Sequence, residues 1–567
     1  MQIITAESQI DIEQHFKVIA GPGAGKTRFL VNHVKNVLAN SIRLSRNRKI
    51  SCITYTNVGV DTLVNRIEDE KDHLEISTIH SFLFAHVVKP YLFLLKDKYN
   101  FDPAKFDNPF EHILSNGYFN RTDLPKRYVT DNDMKNIYWE ITGNECKLRI
   151  KHKNNIYHKS LLKYKSFFWE KGIMHYEDIL AFAWEILNID NNVIRILRAK
   201  FPYFFIDEFQ DTNPIQTEII KKIAEKETIV GVIGDSAQSI YGFQGAHMQQ
   251  FIDFELPSIS LYQIEDNWRS TNQIIDVLKM IRTDLNQDSP KAKYGKIPKI
   301  LVGDSLQALE YCDKILGRDN VVTLSYMVPT ANAMKKRVSV ESPANILIEQ
   351  IMQGDGDSNR RKLFISIVKA IEFAKQQQFD DAIKKLASQL RKTDEFKGRK
   401  NALVLIKSLL NSYNDYTNGK LWDLYKKVIL FPFIGIKRIQ ERESGNSTKV
   451  ESVYKNTNYN DLALSIRLLK DETIHRTIHK AKGDEFENVL VIVKGKKGHK
   501  YEEKRDLAFL LEPNLMEIED HRVYYVACSR AKENLLINVP ELSEDARQKL
   551  SGKFEVINIP YAKSHAH

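Results

Sequence analysis

Ala20-Gly21-Pro22-Gly23-Ala24-Gly25-Lys26-Thr27 is the stretch from which the fold is read. Three glycines allow the backbone to curl so that successive N–H groups converge on an anion. Lys26 can reach the β- and γ-phosphates of a nucleotide, and the Thr27 hydroxyl can hold Mg²⁺. Before it, Lys17-Val18-Ile19-Ala20 reads as a short apolar strand. After it, Leu30, Val34, Val37 and Leu38 share one face of a helix that begins at Lys26 with its N-terminus toward the phosphates. Ala20 stands where the general phosphate-loop pattern has its first glycine, so the strict motif is missed by one residue.

Strands and helices alternate outward from this loop. Residues 50–56 read as a strand, and Asn57 opens a helix through Ile67. Ile76-Ser77-Thr78-Ile79-His80-Ser81-Phe82 is a strand-to-helix turn. Such alternation predicts a parallel sheet with ligands at the carboxyl ends of its strands. Phe201–Ile206 is an apolar strand ending in Asp207-Glu208: Asp207 suits Mg²⁺, directly or through water, and Glu208 suits the attacking water. The strand Thr228–Ile233 runs into Gly234-Asp235-Ser236-Ala237-Gln238-Ser239-Ile240-Tyr241-Gly242-Phe243-Gln244-Gly245. There Gln238 can bond both water and γ-phosphate, and Tyr241 and Phe243 can reach nucleic acid from the same loop. Strand Ser258–Tyr262 precedes Asn267-Trp268-Arg269, a flat ring beside a permanent cation.

Between 89 and 175 the pattern turns aromatic and helical. Residues 147–165 interleave Lys147, Arg149, Lys151, Lys153, Lys159, Lys163 and Lys165 with Tyr157 and Tyr164. That composition suits a single strand, with charges for phosphates and rings for bases, and equally suits an ordinary solvated helix face. A second α/β unit begins near 278, with expected strands at Lys299–Val302 and Val321–Tyr326. Strand signals nearly vanish from 336 to 465, where 361–411 has helical periodicity and Gly354–Asp357 and Gly445-Asn446 read as loops. The sheet pattern returns at Thr473–Phe486, with a strand Val489–Val493, a lysine-rich loop at 494–506, and Tyr524-Tyr525-Val526-Ala527-Cys528-Ser529-Arg530 before strand Leu535–Val539. About 28 residues follow with few features, too few for a further domain.

Composition bounds the class. The 567 residues are 43% hydrophobic and 28% charged, as in a globular protein of several domains. The net charge of +10 is compatible with nucleic acid, an anionic membrane or acidic proteins. Cys52, Cys146, Cys312 and Cys528 form no C-x-x-C pair, which argues against zinc and iron–sulfur sites and suits a reducing cytoplasm. The N-terminus lacks a basic segment followed by an apolar core, and no apolar run is long enough for a bilayer, so neither signal peptide nor membrane is expected.

The segments AGPGAGKT, TYTNVGVD, STIHSF, FIDEFQD, GDSAQSIYGFQGA, NWRST, TIHKAKGDEFENV and YYVACSRAK occur in the order found in superfamily 1 helicases of the UvrD/Rep/PcrA type, which the chain resembles over nearly all its length. The resemblance implies an α/β fold: two RecA-like P-loop motor domains with parallel sheets, each carrying a mainly helical insertion. It places the first motor domain at 1–88 and 176–277 with an insertion at 89–175, and the second at 278–335 and 466–567 with an insertion at 336–465. It implies that ATP with Mg²⁺ sits between the motor domains while single-stranded DNA runs across them.

The same resemblance assigns Gly21, Pro22, Gly23, Ala24, Gly25, Lys26, Thr27, Arg28, Trp268 and Glu485 to the nucleotide, and Thr27 and Asp207 to the metal. Glu208, Gln238, Arg269 and Arg530 become catalytic, Arg530 as the finger from the second motor domain. Tyr55, Thr56, Asn57, His80, Tyr241, Phe243 and His479 fall to DNA. Trp268 replaces the usual stacking Tyr, and Phe243-Gln244 stands where Trp-Arg is usual. The family's adenine-reading glutamine has two candidates here, Gln9 and Gln14. The implied activity is 3′→5′ translocation on single-stranded DNA and unwinding of tailed duplex. The alternative is an accessory or DNA-sensing ATPase beside a nuclease partner in phage defence. A small-molecule P-loop enzyme leaves the late motifs unexplained.

Overall fold

The computed structural model describes residues 1–45, 47–67, 71–106, 116–155, 157–339, 351, 354–390, 395–441, 448–466, 473–496 and 499–560. The chain divides into two compact units, one of residues 1–269 and 283–292, the other of 270–282 and 293–567. It thus enters the second unit at Ser270, ahead of the point near 278 expected from the sequence, and returns to the first for ten residues.

In the first unit the strands are β1 (Gln2–Ile4), β2 (Phe16–Ala20), β3 (Ile50–Thr54), β4 (Leu74–Thr78), β5 (Ile137–Thr142), β6 (Glu145–Ile150), β7 (Tyr203–Ile206), β8 (Ile229–Gly234) and β9 (Ser260–Ile264). Seven of them form one parallel sheet in the order β1-β9-β2-β8-β7-β3-β4. β3, β7 and β8 are buried at every residue, as parallel strands covered on both faces must be. β8 separates the strand that feeds the glycine loop from the strand that feeds Asp207. Because all seven run the same way, the loops ending at Lys26, Tyr55, His80, Glu208, Gln238 and Arg269 leave the same edge of the sheet.

The insertion of this unit corrects one expectation. Residues 137–150 form an antiparallel hairpin, Ile137 opposite Ile150 and Thr142 opposite Glu145, and the helix starts only at His158 and ends at Trp169. Ile137 and Trp139 on one strand and Cys146, Leu148 and Ile150 on the other are buried, a period of two that the intervening lysines disguise. Gly143, at φ 63°, makes the two-residue turn with Asn144.

Two buried acids fasten the hairpin to the helix Tyr176–Ile189. Asp178 accepts from Trp139 Nε1 at 2.8 Å, Trp169 Nε1 at 3.1 Å and Lys165 Nζ at 2.8 Å. Glu185 accepts from Tyr99 Oη at 2.9 Å and the Cys146 N–H at 3.0 Å. Burial alone pushes the Asp178 carboxyl up, but Lys165 and His175 outweigh it and hold the group well below the usual aspartate range. Its pairing therefore stabilises the fold at neutral pH, and that contribution is lost as pH falls below the ordinary aspartate range. Asp178→Asn leaves the Lys165 ammonium buried without its counter-charge, and is expected to cost about 3–5 kcal/mol in urea unfolding at pH 7.

The second unit holds β10 (Lys299–Val302), β11 (Val322–Ser325), β12 (His475–Thr477), β13 (Phe486–Ile492), β14 (Ala531–Val539) and β15 (Glu555–Asn558), all parallel in the order β12-β11-β13-β14-β10-β15. β15 and the helix Glu544–Leu550 give structure to a tail expected to be featureless. Between β11 and β12 the described residues are mainly helical, including Ser358–Lys375, Phe379–Leu390, Glu395–Asn411 and Leu421–Val428. They close on Phe364, Ile367, Ile371, Leu405, Trp422 and Tyr454. Asp355, in the Gly354–Asp357 segment, takes Arg360 Nε at 2.8 Å and Tyr454 Oη at 3.1 Å. The expected loop at Gly445-Asn446 lies outside the described residues. Among the described residues no helix is long and apolar enough to cross a membrane.

Candidate nucleotide and nucleic-acid site

The glycine loop follows β2 and ends at the helix Lys26–Asn40, whose N-cap is Gly25 at φ 84° with no side-chain cap. The first-turn N–H groups have no acceptor within the helix, which makes this terminus an anion site. Gly23, at φ 72°, cannot carry a side chain: a Cβ there would meet the Arg269 Cβ at 2.8 Å. Lys26 Nζ lies over the loop, bonded to the Ala20 carbonyl at 3.2 Å and the Gly21 carbonyl at 3.1 Å. Pro22 and Ala24 complete the curl, and Arg28 pairs with Glu7 on the first helical turn.

Asp207 and Glu208 arrive from β7. Thr27 Oγ1 is 3.4 Å from Asp207 Oδ2, an oxygen pair of the hardness Mg²⁺ prefers. Burial, with the neighbouring Glu208 charge adding to it, pushes the Asp207 carboxyl up, against the pull of Lys26 and Thr27. A buried acid in that condition fits a cation site. Glu208 sits in the left-handed region at φ 54°, which non-glycine residues rarely adopt and which turns its side chain away from the strand line.

Sequence reasoning missed what holds Glu208. Gln210, fully buried, donates its amide to Glu208 Oε2 and accepts from the Asp235 N–H at 2.9 Å. Asp235 accepts from Gln238 Nε2 at 2.6 Å, and Ser239 Oγ donates to the Gln210 carbonyl at 3.0 Å. The acid and Gln238 are therefore ends of one hydrogen-bonded chain, Glu208–Gln210–Asp235–Gln238. Both intermediates stand within quoted motifs, but nothing in the spacing marks them as a relay.

The Asn267–Arg269 segment crosses the glycine loop: the Trp268 N–H donates to the Gly23 carbonyl at 3.0 Å, and the Arg269 N–H to Asn267 Oδ1 at 3.0 Å. Trp268 is 44% exposed, with Lys291 Nζ 5.8 Å from its ring. A second missed residue is Gln287, on the segment that returns to this unit. It is buried and donates to the carbonyls of Pro22 and Asp266, both at 3.1 Å. No motif surrounds it.

Gln14 accepts from Ser260 Oγ at 2.9 Å, where β2 and β9 begin, at the end of the sheet remote from the loop. Gln9 follows a segment laid along the loop helix, where Asn32 Nδ2 donates to the Ala6 carbonyl at 3.0 Å.

The aromatic residues assemble beside this machinery. Tyr55, after β3, stacks on Tyr241 with ring centres 5.4 Å apart and planes at 19°. Phe243 lies 6.1 Å from Tyr241 and is 57% exposed. Thr56 caps the helix Asn57–Arg66 by accepting from the Gly59 N–H at 3.1 Å, leaving Asn57 exposed on its first turn. His80 packs edge-on against Tyr176 at 5.1 Å, and burial pushes its imidazole down to about 4. It is neutral at physiological pH, a hydrogen-bonding ring without charge.

In the second unit Arg530 and Glu485 are neighbours. Arg530 is 2% exposed and donates to the carbonyls of Val526 at 3.0 Å and Asp484 at 3.2 Å, and to Ser529 Oγ at 2.8 Å. Glu485 pairs with Lys532 at 3.2 Å. His479 meets the edge of Tyr326 at 5.7 Å.

The first unit thus presents a glycine loop ahead of a helix N-terminus, an acid pair and a buried glutamine at the same edge of a RecA-like sheet. A model of the UvrD/REP helicase N-terminal domain matches residues 4–257, and one of the UvrD-like helicase C-terminal domain matches residues 359–541. The chain belongs to the UvrD/Rep family of superfamily 1 helicases. It is 26% identical to ATP-dependent DNA helicase Rep of Buchnera aphidicola subsp. Schizaphis graminum over 321 residues, 53% of this chain and 48% of that protein. It is 27% identical to ATP-dependent DNA helicase PcrA of Bacillus subtilis over 301 residues, 48% of this chain and 38% of that protein. The matched region spans less than half the length of each of these relatives.

Proposed function

We propose that this protein hydrolyses ATP to move 3′→5′ along single-stranded DNA and to open tailed duplex. The observation that carries the reading is the continuity of one loop. Gln238, at the end of the relay from Glu208, and Tyr241 and Phe243, in the exposed aromatic group, lie within six residues on the same turn of chain.

Lys26 and the helix N-terminus would bind the β- and γ-phosphates, Trp268 would stack on the base, and Gln9 rather than Gln14 would read its edge. Thr27 and Asp207 would hold Mg²⁺, which when bound neutralises phosphate charge. Glu208 would accept the proton of the attacking water. Arg269 lies against Gly23 and would steady the γ-phosphate; by resemblance to the family, Arg530 and Glu485 would act on the same nucleotide. Loss of the γ-phosphate removes the partner that Gln238 senses, and the loop carrying Tyr241 and Phe243 resets. Stacking worth about 1–3 kcal/mol per base grips the strand without reading its sequence.

ATP turnover is expected to rise when single-stranded DNA is added, with Lys26→Ala as the background control. Turnover indifferent to DNA overturns the motor reading. Duplexes with a 3′ tail should open and those with a 5′ tail should not. Stimulated turnover with no opening on either would favour the accessory ATPase instead.

A further inference from the structure

The basic stretch 147–165 finds a specific place in the first unit. On the hairpin Tyr138 stands opposite Arg149 and Glu140 opposite Lys147, all on the face away from the core. Lys151 continues that face: its N–H donates to the Asn136 carbonyl at 2.9 Å, extending the pairing past Ile150. The next residues turn sharply, with His152 at φ 64° and Lys153 Nζ bonded to the Tyr128 carbonyl at 2.8 Å. The turn is anchored, and Lys151 Nζ reaches the Phe243 carbonyl at 3.3 Å.

The hairpin face therefore begins where the aromatic group ends. Arg149 is matched by Glu140 at 2.8 Å, which leaves Lys147 and Lys151 as the cations of the face. They stand four residues apart on a strand, about 13 Å. Glu177 is an acid whose field Lys151 shares. Tyr138 lies between the two lysines on the partner strand, with a ring available to a base.

We propose that this outward hairpin face, from Lys151 to Lys147, is a backbone-binding rail for single-stranded nucleic acid as it leaves the Tyr55–Tyr241–Phe243 group. The inference rests on the single-strand reading above. Lys147 and Lys151, about 13 Å apart, each contact a phosphate of the strand.

The test uses the full chain and labelled oligothymidylates of two lengths, one just covering the aromatic group and one several-fold longer. Lys147→Gln with Lys151→Gln is expected to weaken the long oligonucleotide several-fold while the short one binds as before. The slope of log affinity against log salt for the long one should fall by about 1.4, at about 0.7 per lost phosphate contact. Arginine at both positions should restore slope and affinity, because charge is what the rail supplies. Unchanged affinity and slope for the long oligonucleotide overturn the rail. Equal loss on both lengths also overturns it, placing the lysines at the aromatic group itself. A wild-type chain that binds neither oligonucleotide overturns the single-strand reading and the rail together, whereas wild-type binding with an indifferent variant removes the rail alone.

Discussion

Glu208→Gln is expected to lower ATP turnover by about 10²–10⁴-fold while nucleotide affinity stays near that of the wild type. The substitution is nearly isosteric, and Gln210 donates its amide to the residue's outer oxygen. A glutamine can turn its own carbonyl to that donor and keep the left-handed turn in place. What it cannot do is accept the proton of an attacking water. Steady-state turnover, paired with titration of a fluorescent nucleotide, separates the two quantities. Turnover close to wild type would mean that the water is activated elsewhere, and the role given to the acid pair would fail. Loss of affinity in parallel with turnover would instead assign Glu208 to holding the loop.

Arg530→Ala is expected to lower turnover by about 10³-fold or more, the scale associated with an arginine that meets a transferring phosphate. This residue also has a structural task. Its guanidinium is buried and bonded to two main-chain carbonyls and a serine hydroxyl of its own unit. Removing it takes away three donated hydrogen bonds, a loss of about 1–3 kcal/mol. Thermal unfolding must therefore accompany the assay. Arg530→Lys sharpens the comparison, because it keeps the charge and discards the planar fork. A folded alanine variant with normal turnover removes Arg530 from the reaction and leaves it as a pin for the turn before β14.

The turns at the strand ends were legible because they are local. A glycine loop, an Asp-Glu corner and an Asn-Trp-Arg turn each declare themselves within a few residues, and the strands that feed them are short apolar runs. The hairpin at 137–150 was obscured by its own surface: lysines on the outward face broke the appearance of alternation while the inward residues kept strict period two. Gln210 and Asp235 were visible as letters but not as partners, since their bond joins loops after different strands. Gln287 could not be found at all, because what recruits it is the Pro22 carbonyl, 265 positions earlier in the chain. Spacing alone could not separate Gln9 from Gln14; the direction of β2 shows only that Gln14 lies at the end of the sheet remote from the glycine loop.

The return of residues 283–292 has a practical corollary for anyone dissecting this protein by truncation. A fragment stopped at Arg269 would seem to contain every recognisable signature of the first unit. It would nevertheless lack the Gln287 amide that braces Pro22, and the Asp288 backbone that accepts from the Asn267 N–H at 2.7 Å. A faithful excision has to carry the ten-residue strap and replace the intervening 270–282 with a linker, since the unit's own support is encoded beyond the point where its sequence appears to end.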